Sequence, residues 1–403
     1  MASEIAIANH PGLLKLALAI SGISVEGRAA GDWPAGGNWP AGGNWIELVL
    51  EGDVWARARI DPASALKLIE RGSATFIAHA QSEAAARVVP TPEFASRKTP
   101  RGISMGAIAQ VRGSYATVAL GGGCGLGFEG RACAFCLGRE LTEKAGEVWA
   151  VDDVIEALRG AFDEGAAEAV HLQVGYFPGD DAGVGQLAPY LEAIHRHFDT
   201  MVAVTMHPPA ALRAIDLTYA SGVDALSYNL EAADAETMAR HFPGRARFFG
   251  HPRYIEALAH AARVFPGGAV WSELEIGLSP VSATRTAIDE LTQIGVLPLL
   301  GVAPASERPR DAAQMVAQAA PLCAALFEST LKAGLNMSWA RDISSAITPL
   351  EARFFVPGAP QLPLLLQQLA RNRLGALATR SLARFRRRLR VRRVRASFDS
   401  SRL

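Results

Sequence analysis

Three cysteines lie within thirteen residues on a glycine-rich stretch. They are Cys124, Cys133 and Cys136 in GGGCGLGFEGRACAFC, with eight and then two residues between them. Three thiolates this close in sequence can hold three corners of a [4Fe–4S] cluster and leave the fourth iron without a protein ligand. The surrounding glycines allow the backbone to approach a cluster and to take positive φ angles; they are Gly121, Gly122, Gly123, Gly125 and Gly127. The spacing predicts a metal centre with one open coordination position.

Two other interpretations of the cysteines stay open. A structural zinc site normally uses four ligands, and the fourth cysteine, Cys323, lies far away in PLCAALFE, where it fits a helix core. Buried thiols without a metal would explain one cysteine better than three. A zinc-knuckle scaffold or binding protein is therefore the alternative function.

The elements after Tyr115 alternate between apolar strands and amphipathic helices. The strand candidates are YATVAL, AVHLQVG, MVAVTMH, ALSYNLE, WSELEIGL and VLPLLGV. Each intervening helix is long enough for the chain to cross over and return in parallel. This pattern predicts an α/β fold with a partial (β/α)6, TIM-like barrel over residues 113–310, and an open doubly wound sheet is the rival architecture. Either fold places the active chemistry at the carboxyl ends of the strands.

One face of these strands repeatedly carries polar side chains, because alternate residues of a strand share a face. The polar positions are His171, Gln173, Thr205, His207, Ser227, Asn229, Glu231, Glu273 and Glu275. A fully packed barrel interior would not hold this many polar groups unless they were paired or wet. We therefore expect a polar cavity inside the barrel; the alternative is that these groups are salt-bridged or exposed at strand ends.

The flanking regions differ from the barrel in pattern. Residues 1–112 predict a small N-terminal α+β accessory region, with WIELVLEG and ATFIAHA as strands around a helical ASALKLIERG. The repeat GDWPAGGNWPAGGNW at 31–45 is typical of a surface loop. Residues 311–403 predict a helical extension with a basic tail.

Charge is divided unevenly along the chain. The net charge is zero, but residues 371–395 contain eleven arginines and no acid, and Asp399 cancels Arg402, which leaves −11 on residues 1–370. A helical stripe in the tail, Ala378, Leu382, Phe385 and Leu389, is flanked by arginines. Such a helix could contact an anionic membrane surface or RNA phosphates, or it could be a solvated tail or dock on the acidic body.

Composition and cysteine content limit the classes of protein that this chain can belong to. Apolar residues make up 49% and charged residues 20%, as in ordinary soluble globular proteins. The sequence contains no uninterrupted run of about 18 apolar residues, so a membrane-spanning helix is not expected. The apolar stretch 13–25 follows Glu4 and contains Lys15, so a cleaved signal peptide is not expected. Clustered cysteines favour a reducing compartment, and we expect a cytoplasmic protein, peripheral at the membrane if the tail binds lipid.

These residues resemble the radical S-adenosylmethionine (SAM) enzymes over roughly residues 115–309. The resemblance rests on three cysteines after the first barrel strand, on Phe135 before the third cysteine, and on the barrel that follows. Most members of that family place three residues between the first two cysteines, whereas this chain places eight. After the second strand the family has a Gly-Gly-Glu-like turn that meets the SAM amino group, and here Gly175 and Tyr176 of QVGYFPGDD occupy that place approximately.

The later part of the chain is similar to the biotin synthase and hydrogenase-maturase-like branch. It shares a GL turn after the fifth strand and a GV-x-P strand next, here GLSP and GVAP. The resemblance implies that Ser227 and Glu231 hold the SAM ribose or methionyl part. It also implies that Gly277, Leu278 and Val302 border the adenosine.

By this resemblance the protein cleaves SAM reductively at a [4Fe–4S] cluster and produces a 5′-deoxyadenosyl radical. The radical would abstract hydrogen from a small-molecule or lipid-like substrate, for rearrangement, C–C or C–S bond chemistry, or cofactor biosynthesis. The electron would come from a flavodoxin or a ferredoxin-type donor. The expected substrate anchors are His171, Gln173, His207, Asn229, Glu273 and Glu275.

Overall fold

The computed structural model describes residues 7–25, 45–120, 124–128, 132–134, 148–177, 179–340, 342–343 and 346–359. Several predictions of the sequence lie outside the described residues: the Trp-Pro-Ala-Gly repeat, the glycines at 121–123, Phe135, Cys136 and the arginine-rich tail. Among the helices within these ranges, none is long and apolar enough to cross a membrane.

The N-terminal region combines one helix, α1 (Pro11–Ser21), with a six-stranded sheet. The strands are β1 (Ser24–Val25), β2 (Trp45–Leu50), β3 (Val54–Arg59), β4 (Lys67–Arg71), β5 (Ala74–His79) and β6 (Ser82–Val88). Their order in the sheet is β1-β4-β5-β6-β2-β3, with β1 and β4 parallel and the other pairs antiparallel. The α+β character predicted for this region is therefore present, with strands predominating.

The helix predicted for ASALKLIERG is wrong. Its second half forms β4, which pairs in register with β5 from Lys67↔Ala78 to Arg71↔Ala74. Leu68 fills the N-terminal core beside Ile77. The segment has helix-forming residues, but the hydrogen bonds of the ladder and the burial of Leu68 outweigh this intrinsic preference.

The second sheet has seven strands. They are β7 (Ala109–Arg112), β8 (Tyr115–Leu120), β9 (Ala169–Val174), β10 (Val202–Thr205), β11 (Ala225–Ser227), β12 (Val270–Ile276) and β13 (Leu297–Val302). β7 is antiparallel to β8, and β8 to β13 are parallel neighbours in chain order. A doubly wound sheet reverses its strand order at the middle, and this sheet does not. The prediction of a partial TIM-like barrel is confirmed.

Helices connect the parallel strands. They are α4 (Val151–Asp163), α5 (Val184–His197), α6 (Leu212–Ala220), α7 (Ala235–His241), α8 (Pro243–Phe248), α9 (Gly250–Val264) and α10 (Val281–Gln293), and α11 (Ala312–Lys332) follows β13. Three short helices complete the described set, α2 (Met105–Ile108), α3 (Gly125–Phe128) and α12 (Pro349–Ala352). Short 3₁₀ turns occupy Ile7–Asn9, Glu51–Asp53, Glu93–Ser96, Met337–Ala340 and Arg353–Phe355.

The strand faces divide as their alternation predicts. The apolar positions are fully buried in the main core, as Val170, Leu172, Leu226 and Leu274 illustrate. Of the polar positions, His171 and Ser227 are buried and the others keep partial exposure. The core therefore lies between the sheet and its helices, and the opposite face forms a polar, partly accessible interior.

Helix α1 joins the two regions. Leu14 and Leu18 belong to the N-terminal core, whereas Leu16 and Ile20 belong to the barrel core. Between these two faces, the fully buried Lys15 donates to Glu351 at 2.6 Å. Glu351 also caps α12 by accepting from the Thr348 amide. Helix α1 is therefore fastened to the segment that follows α11.

Candidate active site

Two of the three clustered cysteines are described, and both lie beyond the carboxyl end of β8. Cys124 precedes the short helix α3 and is half-buried, and Cys133 is buried. The Tyr176 amide donates to Cys124 Sγ at 3.3 Å, and the Gly125 amide donates to the Tyr176 carbonyl at 2.7 Å. The turn after β9 therefore holds the start of the cysteine loop through both of its backbone groups.

The segment around Cys133 is fixed at a second point. The Ala134 amide donates to the carbonyl of His241 at 2.7 Å, at the end of α7. The His241 ring in turn contacts Glu307 at 3.0 Å between Nδ1 and Oε2. Cys124 and the segment around Cys133 are thus anchored to different barrel units.

Arg245 joins several groups beyond the carboxyl end of β11. This side chain is buried; it donates to Glu231 Oε2 at 2.7 Å, to Tyr254 Oη at 2.9 Å, and to the Asn229 carbonyl. Burial alone would lower the pKa of Arg245, but Glu231, Tyr254 and Cys133 raise it above the ordinary value. Arg245 is therefore a permanent buried cation between the cysteine loop and the strand ends.

His207 continues this network from the end of β10. Its Nδ1 lies 2.9 Å from Tyr254 Oη, and its ring stacks on Phe249 with centroids 5.5 Å apart. Tyr176 meets the His207 ring edge-on at 6.1 Å. Burial, with Arg245 nearby, lowers the pKa of His207 to about 3, so the ring is neutral at physiological pH.

The contacts form one continuous path across the top of the barrel. It runs from Cys124 through Tyr176, His207 and Tyr254 to Arg245, and from there to Glu231. The cysteine spacing and the strand parity each predicted part of this set. Arg245 and Tyr254 were missed, because they lie on α8 and α9, and no linear spacing relates those helices to the cysteines.

Glu231 itself has an unusual backbone. Its φ is +61°, a conformation that non-glycine residues rarely adopt. The Glu231 amide donates to the Glu273 carbonyl at 2.7 Å, and the Glu275 amide donates to the Glu231 carbonyl at 2.8 Å. These two bonds to β12 hold the strained residue, and strain of this kind concentrates at functional sites.

A second polar group lies deeper in the barrel. His171 Nε2 is 2.9 Å from Thr205 Oγ1, and burial, with Arg112 nearby, lowers the pKa of His171 to about 3. Burial, followed by the charge of Arg57, also lowers the pKa of Arg112 to about 9, although Glu47 and Glu273 oppose this. The deep interior therefore contains a neutral imidazole beside a cation from β7.

The pKa of the Glu275 carboxyl group is strongly perturbed in this interior. Burial, followed by the charges of Glu273 and Glu231, raises its pKa well above the usual value. Among the described atoms, its Oε2 has no hydrogen-bond partner. Gly301 faces it on β13, and a Cβ at that position would lie 2.6 Å from Glu275 Oε1. A side chain at position 301 would therefore require the Glu275 carboxylate to shift.

The remaining predicted positions line the wall or the rim. Asn229 Oδ1 accepts from Ser227 Oγ and from the Glu273 amide at 3.2 Å. This side-chain oxygen therefore already accepts two hydrogen bonds within the barrel wall. Gln173 is half-buried at the end of β9. Gly175 lies just after β9 beside Tyr176, and Leu278 and Val302 are half-buried beyond β12 and at the end of β13.

Packing explains why position 277 is a glycine. Its φ is +97°, and a Cβ there would lie 2.9 Å from Arg308 Cβ and 3.0 Å from Met315 Cε. These contacts account for glycine at this position without a bound ligand.

The described residues hold no group of three metal-ligating side chains, and Cys136 lies outside them. The donor set nevertheless fits an iron–sulfur cluster. Two thiols of the motif follow β8, and the Tyr176 N–H donates to the sulfur of Cys124.

The comparisons with known proteins identify no family. No protein-family model matches the chain, and no curated protein matches it either. Among solved structures, a radical SAM methyltransferase from Sphaerobacter thermophilus is similar with a TM-score of 0.35 and 14% identity, over 72% of this chain and 82% of that chain. An archaeal fructose 1,6-bisphosphate aldolase is similar with a TM-score of 0.26 and 16% identity, over 40% of this chain and 60% of that one.

Proposed function

We propose that this protein is a radical SAM enzyme in which Cys124, Cys133 and Cys136 ligate a [4Fe–4S] cluster. The proposal is supported by the anchoring of Cys124 to the turn after β9 and of the residue after Cys133 to the end of α7, on a partial barrel with a polar interior. When bound, the cluster supplies the electron that splits the SAM sulfonium and releases a 5′-deoxyadenosyl radical.

The residues around the cysteines would orient the cofactors. The Tyr176 N–H donates toward the Cys124 sulfur, and such bonds tune the potential of ligated iron. Arg245 holds Glu231 in a fixed position, from which Glu231 and Ser227 would bind the ribose or methionyl part of SAM. The backbone at Gly175 would receive the SAM amino group, and Gly277, Leu278 and Val302 would border the adenosine.

The polar interior below would anchor the substrate. His171 and His207 are neutral there and can donate or accept one hydrogen bond without carrying charge. Gln173, Asn229, Glu273 and Glu275 complete the set. These polar groups would hold a polar substrate. The buried aliphatic side chains on the other face of the strands would keep the wall behind them closed to stray hydrogen donors. A flavodoxin or ferredoxin-type protein would deliver the electron.

Anaerobic reconstitution of the full chain tests this proposal. We expect about four irons per chain, a brown chromophore, and 5′-deoxyadenosine from SAM after reduction. Replacing Cys124, Cys133 or Cys136 by alanine should abolish all three. Cys323→Ala is the matched control, because Cys323 is buried in α11 and its pKa is raised by burial, so this thiol is inert.

Two results would overturn the proposal. One is a colourless, oxygen-stable protein that purifies with zinc, which would favour the structural-metal alternative. The other is loss of iron in Cys323→Ala with retention in Cys124→Ala. Circular dichroism of each variant separates loss of the cluster from loss of the fold.

A further inference from the structure

Arg245 on α8, Tyr254 on α9 and His207 after β10 are joined by two consecutive hydrogen bonds. Arg245 Nε donates to Tyr254 Oη at 2.9 Å, and Tyr254 Oη lies 2.9 Å from His207 Nδ1. We propose that Arg245 and Tyr254 are positioning residues that fix His207 as the Nε2–H tautomer, so that His207 offers an N–H donor, and not a base, to an acceptor atom of the substrate. The presence of a substrate here rests on the proposed function, whereas the tautomer does not depend on the cluster.

The direction of the first bond is set by the arginine. A guanidinium group donates hydrogen bonds and accepts none, so the Tyr254 oxygen is the acceptor. The other two nitrogens of Arg245 donate to Glu231 Oε2, at 2.7 Å, and to the Asn229 carbonyl. The guanidinium therefore cannot turn away from Tyr254 without losing these bonds.

The hydroxyl proton of Tyr254 has one acceptor. Tyr254 is 0% exposed, and among the described residues its oxygen has hydrogen bonds to Arg245 and His207 alone. Because Arg245 cannot accept, the proton goes to His207 Nδ1; the opposite arrangement would leave a buried hydroxyl proton without an acceptor, which is costly. Burial raises the pKa of Tyr254 to about 12, although Arg245 opposes this, so the proton is retained at neutral pH.

The second bond fixes the state of the imidazole. Burial, with Arg245 nearby, lowers the pKa of His207 to about 3, so the ring carries a single N–H at neutral pH. Since Nδ1 accepts from Tyr254, that hydrogen is on Nε2. Phe249 is parallel to the ring within 3°, and Tyr176 meets it edge-on, so packing holds the plane of the imidazole.

The Nε2 of His207 is accessible to a ligand. The residue is partly exposed, and Nε2 has no hydrogen-bond partner among the described residues. It is also not one of their fully buried polar atoms that lack a partner. The other interior histidine, His171, uses its Nε2 for Thr205. His207 therefore selects a substrate with an acceptor, such as a carbonyl or hydroxyl oxygen, and an ammonium group could not accept from it.

Nuclear magnetic resonance of the full, iron-free chain with ¹⁵N-labelled histidine tests the assignment. Long-range proton–nitrogen correlations at neutral pH should show His207 Nδ1 unprotonated and Nε2 protonated, and the Nε2 proton should exchange with water. The signals lost in His207→Gln identify the residue. His10 is an internal reference, because its Nδ1 accepts from the Leu13 amide at 3.0 Å.

Tyr254→Phe tests the positioning role. It removes the donor to Nδ1, so the ratio of the Nε2–H to the Nδ1–H tautomer should fall about fivefold. Tyr219→Phe, which removes a hydroxyl from a residue packed on Phe265, is the matched control and should leave the His207 signals unchanged. Arg245→Met should lower the same ratio, because the Tyr254 oxygen would lose the donor that directs it.

Three results would overturn the proposal. They are a protonated Nδ1 on His207 in the unaltered chain at neutral pH, an Nε2 proton that does not exchange with water, and an unchanged tautomer ratio in folded Tyr254→Phe. If the variants do not fold, the spectrum of the unaltered chain decides. Failure of the proposed function would be seen separately, in the iron content after reconstitution.

Discussion

At the scale of single residues, the interior of the barrel is defined by groups kept in unusual protonation states. His171 is buried beside Arg112, and the pKa of its ring is lowered to about 3. The ring is therefore neutral in the folded protein down to strongly acidic pH. A neutral imidazole can serve as donor or acceptor for a substrate without the cost of a buried charge.

His171 also makes stability depend on pH. Its pKa falls from 6.5 in the unfolded chain to about 3 in the fold, so its contribution is fully present above pH 6.5 and is lost as pH falls toward 3. At about pH 5 the loss is about 2 kcal/mol. His171→Gln should remove this component, which denaturant unfolding at neutral and acidic pH measures.

The control for this measurement is His197→Gln, at an exposed position in the last turn of α5. It should follow the unaltered protein between the two pH values. Equal pH dependence in His171→Gln and in the unaltered protein would contradict the neutral state inferred for His171.

At the scale of elements, the short helix α8 (Pro243–Phe248) determines the geometry of the site. It brings Arg245 against Glu231, Asn229 and Tyr254, while its neighbour Phe248 stacks on Tyr176 at 5.6 Å. The helix therefore ties the cysteine loop to the carboxyl ends of β9 and β11.

Arg245→Met should destabilise the fold by about 3 kcal/mol, because it leaves Glu231 and the Asn229 carbonyl without their buried donor. Denaturant unfolding gives the size of the effect, and iron content after reconstitution shows whether the site survives. Arg247→Met lies on the same helix at an exposed position and should change the unfolding free energy little. Equal effects of the two substitutions would argue against the role assigned to Arg245.

Much of the element pattern could be predicted from the sequence. The six parallel strands and the division between their faces follow from the period of two, which AVHLQVG and WSELEIGL show clearly. The strand β4 could not be predicted from the sequence, because its register with β5 and the burial of Leu68 depend on residues distant in the chain. Arg245 was missed for the same reason, since its contacts join elements that are distant in sequence.

At the scale of the whole molecule, the N-terminal region and the barrel form connected cores. Helix α1 contributes to both, and the Lys15–Glu351 pair lies between them with the lysine fully buried. Lys15 Nζ also lies 5.6 Å from the ring centroid of Trp55 on β3. The accessory region is thus part of the barrel's support.

Lys15→Met should lower the unfolding free energy by about 3 to 5 kcal/mol, because the Glu351 carboxylate would remain buried without its cation. Combining it with Glu351→Gln should recover part of this loss, since glutamine keeps an acceptor for the Thr348 amide. Lys332→Met, exposed at the end of α11, is the control. A loss no larger than in the control would show that the pair contributes little.

The close approach between Glu275 and Gly301 has an evolutionary consequence. An acid at 275 and a side chain larger than hydrogen at 301 compete for the same volume, with only 2.6 Å between the carboxylate and a notional methyl group. In an alignment of homologues the two columns should therefore co-vary. Lineages that lose the acid can acquire alanine or serine opposite it directly, whereas lineages that keep the acid must move its carboxylate to accept a side chain at 301.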